Sequence, residues 1–226
     1  MSLDFDSARL PNTRLKPEHH EWRAQLRRFF DREVIPYADQ WDEDGCIPEE
    51  LWPKSAEVGI LGLGYPEEFG GVSEGIDLWY SIILNEEMSR VAVGGLGATL
   101  MVHGIGLPPV INFGSDEIKK MVAPPVLAGS KRISLAITEP GAGSDVAHLT
   151  TTARLDGDHY VVNGSKTYIT GGMNANWFTT AVRTGGEGAG GVSTLLIPAD
   201  EEGVSRTALD KKQGWWCSDT ATIYFD

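Results

Sequence analysis

Leu135-Ala-Ile-Thr-Glu-Pro-Gly-Ala-Gly-Ser-Asp145 divides this 226-residue chain into two regimes of different periodicity. Read by itself, the stretch is a strand that breaks into a turn of small residues. Thr138 offers a hydroxyl at the strand end, and Pro140, with no N–H to donate, stops the ladder. Gly141, Ala142 and Gly143 let a ligand come close to the backbone. Ser144 adds a hydroxyl and an amide, and successive amides in such a turn can form an anion nest. A plain surface loop fits the same residues. A dinucleotide fingerprint does not: Val146 stands where the third glycine is needed, and strands rather than a helix follow. Ser144 is not in a Gly-x-Ser-x-Gly elbow, which argues against a serine nucleophile.

Upstream, from about Lys16 to Gly129, the pattern is helical. Trp22, Leu26, Phe29, Phe30 and Val34 recur at three- and four-residue spacing, one face of a helix that Pro17 opens and Pro36 disturbs. Residues 49–58 read as a second helix closed by Gly59, 64–75 as a loop rich in turn formers, and 76–93 as a third helix. Residues 96–113 are apolar nearly all round, as in a buried helix. Ser115 is a candidate N-cap for a last helix over 116–127, after Gly114. Downstream the period becomes that of strands: 133–137, 153–155, 159–162, 166–170, 177–183, 192–197 and 220–225. Asp156-Gly157 and Asn163-Gly164 are hairpin signals, and a glycine-rich loop at 185–191 joins two of the strands. The reading is an α+β chain: an all-α domain over residues 1–130, then an antiparallel, barrel-like β-domain over 131–226 whose last strand stops at Asp226 with no closing element.

Composition narrows the partners. The net charge of −13 and pI of about 4.8 repel nucleic acid and anionic lipid at long range, so a phosphate-bearing ligand must be held locally. No apolar run approaches the roughly 18–20 residues of a membrane span. Asp4, Asp6 and Arg9 interrupt any secretory core, and Met1-Ser2-Leu3 reads as a cloning remnant. Cys46 and Cys217 read as free thiols of a reducing, cytoplasmic compartment. The five histidines show no metal-ligand spacing. Trp215 and Trp216, if in a strand, face opposite ways. Asn163-Gly-Ser165 is formally a glycosylation sequon, but the hairpin is the better account.

Ala136-Ile-Thr-Glu-Pro-Gly-Ala-Gly-Ser-Asp145 resembles the signature of the acyl-CoA dehydrogenases. So do Asn163-Gly-Ser-Lys-Thr-Tyr-Ile-Thr170, Asn174-Ala-Asn-Trp-Phe178, Gly70-Gly71 and Cys217-Ser-Asp-Thr220, in the family's order across nearly the whole chain. The resemblance implies a helical N-terminal domain, a middle β-domain and a C-terminal four-helix bundle missing from this chain. It implies FAD as cofactor, an acyl-CoA substrate oxidised to the trans-2-enoyl-CoA, and an electron-transfer flavoprotein as electron acceptor. A homo-oligomer is implied too, a tetramer or else a dimer.

By position, Ile137 and Thr138 resemble the group at the flavin's pyrimidine edge, and Thr170 the threonine near flavin N5. Tyr168 stands where many members have a tryptophan against the ring. Gly143 and Ser144 resemble the segment at the cofactor phosphate and acyl-CoA, and Leu135 lies where the strand passes flavin and substrate. Met101 and His103, in the apolar stretch 96–113, are expected at the acyl pocket. The catalytic base belongs to the missing bundle, so none is named; Glu86 and Glu87, on an N-terminal helix, are not promoted. Asp145 is read as bonding turn amides and Glu139 as an ion-pair member. Lys166 and Arg183 read as exposed strand charges, with phosphate contact the alternative. Rival readings are an acyl-CoA oxidase or flavin monooxygenase of the same fold, and a non-catalytic flavin-binding relative that binds a macromolecule.

Overall fold

The computed structural model describes Leu3, Phe5, Asp6 and residues 10–226. Readings that involve Met1, Ser2, Asp4 and Arg9 lie outside the described residues. The chain forms two compact units, each assembled from more than one stretch. The helical unit comprises residues up to Leu100, Ala123–Ser130 and Gln213–Ser218; the β unit comprises Met101–Val122, Lys131–Lys212 and Asp219–Asp226.

In the helical unit, α1 (Pro17–Glu33) packs against α4 (Leu78–Met88) and α3 (Leu51–Val58). The spacing of Trp22, Leu26, Phe29 and Phe30 puts all four on the buried face, against a core that includes Leu51, Trp52, Ile83 and Leu84. Each side chain so buried contributes about 1.5–3 kcal/mol before entropy is counted. Buried His19 joins two helix starts. The Lys16 N–H donates to His19 Nδ1 at 3.0 Å, so Nε2 carries the proton and donates to Asp77 Oδ1 at 3.1 Å. Asp77 also accepts the Trp79 N–H and caps α4. Glu87 is fully buried and meets Arg23, Arg27 and Arg90.

Two helical expectations change. A short helix, α2 (Ala38–Asp44), follows Pro36 directly; it is polar on nearly every side, so no apolar period marks it. The apolar stretch 96–113 is three helices, α5 (Gly94–Leu100), α6 (His103–Gly106) and α7 (Pro108–Phe113). Pro108 and Pro109 have no N–H to donate back to residues 104 and 105, which interrupts a continuous helix. The last helix, α8 (Asp116–Leu127), matches its expected bounds, and the Ser115 hydroxyl accepts the Ile118 N–H at 3.3 Å. No single helix among the described residues is long and apolar enough to cross a membrane.

The β unit holds β1 (Ile133–Ala136), β2 (Thr152–Asp156), β3 (His159–Thr170), β4 (Trp177–Arg183), β5 (Val192–Pro198), β6 (Val204–Ala208) and β7 (Thr220–Phe225). Its sheet runs β1-β4-β2-β3-β7-β6, with β5 on β4. Pairs β2–β3, β3–β7 and β4–β5 are antiparallel, as expected. A strand absent from the sequence reading, β6, adds antiparallel to β7, and β4 runs parallel to β1 and, at Thr152–Arg183, to β2, which makes the sheet mixed. In sequence the β2–β3 hairpin intervenes between β1 and β4, and a connection of that length can return the chain in the same direction beside β1. Ala136, Ile169, Phe178, Ile197, Ala221, Ile223 and Phe225 form the core of one face. On β4, Thr179 Oγ1 donates to the Gly106 carbonyl at 2.6 Å, and α6 packs on β1.

The expected hairpin forms at Asp156-Gly157: Asp156 pairs with His159, and the two-residue loop is Gly157-Asp158. Asn163-Gly164 does not turn. It lies inside β3, where the strand changes partner: Asn163 pairs with Thr152 of β2 and Gly164 with Phe225 of β7. Gly164 has φ 145°, and a Cβ there would stand 2.6 Å from Thr151 Oγ1. The glycine serves a close crossing of backbones rather than a tight turn. Trp215 and Trp216 are not in a strand. Both are exposed in the loop before β7, and Trp215 has φ 57°.

Candidate cofactor-binding site

The site grows from the end of β1. The strand delivers Leu135, then Ile137 and Thr138, all half-buried. A tight turn follows: Glu139 N–H donates to the Ala142 carbonyl at 2.9 Å, and Ala142 N–H returns to Glu139 O at 3.1 Å. Pro140 and Gly141 form its exposed tip. Gly143 and Ser144 emerge into solvent, and a Cβ at Gly141 or Gly143 would meet nothing within 4 Å. The turn is therefore open to a ligand along its backbone.

The second piece is the C-terminal half of β3. Its register to β7 slips between Lys166 and Ile169, a bulge of one extra residue. Tyr168 occupies the bulge with φ 59° and is 66% exposed. A side chain in the left-handed region costs on the order of 1–2 kcal/mol, and this one gains little burial in return. Thr170, half-buried, ends the strand opposite Thr220. The two pieces lie side by side, for the Thr167 N–H donates to the Thr138 carbonyl at 2.8 Å. Thus Ile137, Thr138, Tyr168 and Thr170 share one edge of the unit. Leu135 is on the strand leading into it, and Gly143 and Ser144 lie just past its turn. Met101 is half-buried in the segment entering α6, the helix packed on β1.

Beneath this edge is an ion pair. Lys166 is fully buried, and its Nζ donates to Glu139 Oε1 at 2.8 Å and to the Ile137 carbonyl at 3.0 Å. Glu139 also accepts from Thr150 N and Oγ1, both at 2.7 Å, and from Thr151 N at 2.8 Å. Burial by itself would raise the Glu139 pKa. Bonds from Lys166, Thr150 and Thr151 outweigh it and hold the carboxyl down at about 2. Burial pushes the Lys166 ammonium down, and Glu139 pulls it back.

The ion-pair reading of Glu139 agrees with the structure, whereas Lys166 as an exposed strand charge does not. A sequence signal was available. Val162, Gly164 and Lys166 are in phase, so the lysine falls on the face that Val162 turns inward, and Glu139 is the sole acid between Ile133 and Ser144. Arg183 is neither an exposed charge nor free for phosphate: its guanidinium donates to the carbonyls of Ala147, Leu149, Gly186 and Gly188. Asp145 meets the His148 ring at 2.6 Å.

A cavity of about 460 Å³ lies at the other end of β3, lined by Tyr160, Val162, Leu195, Ile197, Val204 and Phe225 among others. None of the residues expected at the site borders it. Another, of about 610 Å³ in the helical unit, is bordered by Arg23, Arg27 and Glu86, charges already paired. The exposed aromatic on a bulge, two threonines and an open small-residue turn fit a flat, polar-edged ring with a phosphate tail better than either cavity does. Among the described residues no cluster of His, Cys, Asp or Glu is arranged to hold a metal.

Residues 16–130 match the description "Acyl-CoA dehydrogenase, N-terminal domain" and residues 134–226 "Acyl-CoA dehydrogenase, middle domain". A probable acyl-CoA dehydrogenase of Mycobacterium bovis is 36% identical over 225 residues, covering 98% of this chain and 55% of that protein. The crystal structure of a probable acyl-CoA dehydrogenase from Mycobacterium abscessus superimposes with a TM-score of 0.89 at 46% identity, covering 93% of this chain and 56% of that one. An acyl-CoA dehydrogenase from Bacillus anthracis, solved with FAD, gives 0.85 at 33% identity over 96% of this chain and 37% of that one. The chain thus spans about 55% of the length of the relative from Mycobacterium bovis.

Proposed function

The chain belongs to the acyl-CoA dehydrogenase family, and from that premise we propose that the full-length protein is an FAD-dependent oxidoreductase that desaturates an acyl-CoA thioester between its α- and β-carbons. FAD, when bound, supplies the acceptor for the β-hydrogen. The chain's own residues bind and orient. The backbone of Ile137 and Thr138 and the Thr138 hydroxyl hold the pyrimidine edge of the ring, where hydrogen-bond donors favour the negative charge that reduction places there. The exposed Tyr168 ring packs on the flat face, and Thr170 stands near the reacting nitrogen. Gly143 and Ser144, with open amides, take up cofactor phosphate and part of the acyl-CoA. Leu135 and Met101 border the acyl chain.

As the family resemblance implies, the α-proton goes to a carboxylate in the part of the relatives' length that this chain does not cover; Glu139 and Glu87 are committed to ion pairs. Electrons leave to an electron-transfer flavoprotein, and the working form is a homotetramer.

The observation that carries this reading is the 2.8 Å bond from Thr167 N–H to Thr138 O, which sets the turn and the tyrosine bulge on one edge. The test is turnover of an acyl-CoA panel by the full-length protein with an artificial electron acceptor, alongside an absorption spectrum. Flavin bands and enoyl-CoA formation are expected there, with weak flavin retention and no turnover from these 226 residues alone. A full-length protein that neither takes up FAD nor oxidises any acyl-CoA overturns the proposal. Rapid reoxidation by air in place of the carrier flavoprotein makes it an oxidase.

A further inference from the structure

Glu139 and Lys166 present a puzzle of energy. Taking both charges out of water costs more than their attraction returns in many proteins, and a well-packed apolar pair of the same volume often does as well or better. What an ion pair supplies and an apolar pair lacks is direction. Here the directed bonds join three segments. Glu139 binds Thr150 and Thr151 in the loop before β2, Lys166 in β3 binds Glu139, and Lys166 also takes the Ile137 carbonyl at the end of β1.

The bond to Ile137 has a consequence one atom further on. In a trans peptide the C=O and the following N–H point in opposite directions. With the Ile137 carbonyl drawn down to Lys166, the Thr138 N–H of the same peptide unit is aimed the other way, away from the buried pair. That N–H has no acceptor among the described residues. The Thr138 carbonyl, in turn, accepts from Thr167, the residue between Lys166 and Tyr168. One lysine therefore sets both the tilt of the Ile137–Thr138 peptide and the depth of the bulge that turns Tyr168 outward.

We propose that Glu139 and Lys166 are positioning residues for the cofactor: they touch no ligand and fix the orientation of the Thr138 amide and the Tyr168 ring that receive it. The inference rests on the reading that this edge holds FAD.

The test compares apoprotein of the full-length wild type with the Lys166→Met/Glu139→Gln double variant, which removes both buried charges together. FAD affinity is read from quenching of flavin fluorescence, the flavin absorption bands from the bound form, and fold from the urea midpoint. FAD binding about tenfold weaker is expected, the lower end of what losing an orienting partner costs elsewhere. Altered flavin bands should accompany it, in protein that remains folded. A purely structural pair moves the urea midpoint and leaves affinity and bands of the folded protein unchanged; that result overturns the inference while the FAD reading stands. A wild type that binds no FAD overturns both. If the double variant does not fold, Thr150→Val removes a single bond to Glu139 from an exposed residue. About threefold weaker binding, a fraction of that same cost, is then expected, and unchanged binding overturns the inference.

Discussion

Tyr168 is the residue at which structure and chemistry part company. Its φ of 59° is unfavourable for any side chain, and its ring is 66% exposed, so packing within the unit does not account for the strain. Strain that persists without local return points to a ligand. Tyr168→Gly relieves the backbone, and urea denaturation should show stability within about 1 kcal/mol of wild type or above it. FAD affinity should nonetheless drop by roughly tenfold or more with the loss of the aromatic face. Tyr168→Phe keeps the face and should bind FAD as wild type does. A glycine variant destabilised by more than about 2 kcal/mol would mean that the ring packs in a core, and the ligand role would fail. At this edge the pattern of strand and turn singles out Thr138 alone; Tyr168 and Thr170 are named through the family resemblance. The bulge was not legible in the sequence. Nothing in Lys166-Thr-Tyr-Ile169 marks an extra residue, since non-glycine bulges lack the one composition cue that the glycine type carries.

At the scale of elements, the legible parts were those with a clean period. Residues 17–33, 116–127 and 177–183 read from the sequence much as they fold: the first has an apolar face at helical spacing, the second a Gly114-Ser115 start signal, and the third a short run rich in apolar and β-branched residues. The misread parts were governed by partners. Asn163-Gly164 has the local chemistry of a turn, yet β3 runs straight through it, since β2 and β7 claim successive halves of the strand. Residues 96–113 are apolar nearly all round, and Pro108 and Pro109 betray the break before α7 but not the one between α5 and α6.

The short helix α6 left by those breaks is held by contact with the sheet rather than by its own length. Gly106 lies so close to β1 that a Cβ would stand 3.1 Å from the Ile133 carbonyl oxygen and 3.2 Å from the Ser134 carbonyl carbon. Both neighbours are backbone of a paired strand and give way poorly. Gly106→Ala should therefore cost about 1–3 kcal/mol, as overpacking does. Thr179→Val should cost a similar about 1–3 kcal/mol by a different route, leaving the buried Gly106 carbonyl without its 2.6 Å donor. The two share one contact, so the double variant should fall short of the sum. Urea midpoints of the two single variants and the double measure this, and strict additivity would show that Thr179 and Gly106 act independently.

At the scale of the whole molecule, both units use the same electrostatic device. Each contains a carboxylate with almost no exposure, kept ionised by cations on the same unit: Glu87 among arginines in the helical unit, Glu139 against Lys166 in the β unit. For both, burial alone would raise the pKa, and hydrogen bonds from the cations and neighbouring groups bring it below the ordinary value. A carboxyl depressed in the folded state binds fewer protons folded than unfolded. Its stabilisation is therefore complete above the unfolded pKa and lost as pH falls through the folded one.

For Glu139 that window runs from 4.5 down to about 2, and the depression corresponds to stabilisation on the order of 3 kcal/mol. Lys166→Met/Glu139→Gln abolishes the titration of Glu139 in the β unit and leaves Glu87 untouched. The stability difference between wild type and this variant should be flat between pH 6 and 5 and should move in the variant's favour as pH falls toward 2. Urea unfolding followed by far-UV circular dichroism at pH 6, 4 and 3 tests it. Glu87→Gln should flatten only the acid response of the helical unit, which holds every tryptophan except Trp177, and tryptophan fluorescence follows that unit almost alone. Parallel acid profiles for wild type and the double variant would show that Glu139 is not held ionised in the folded chain.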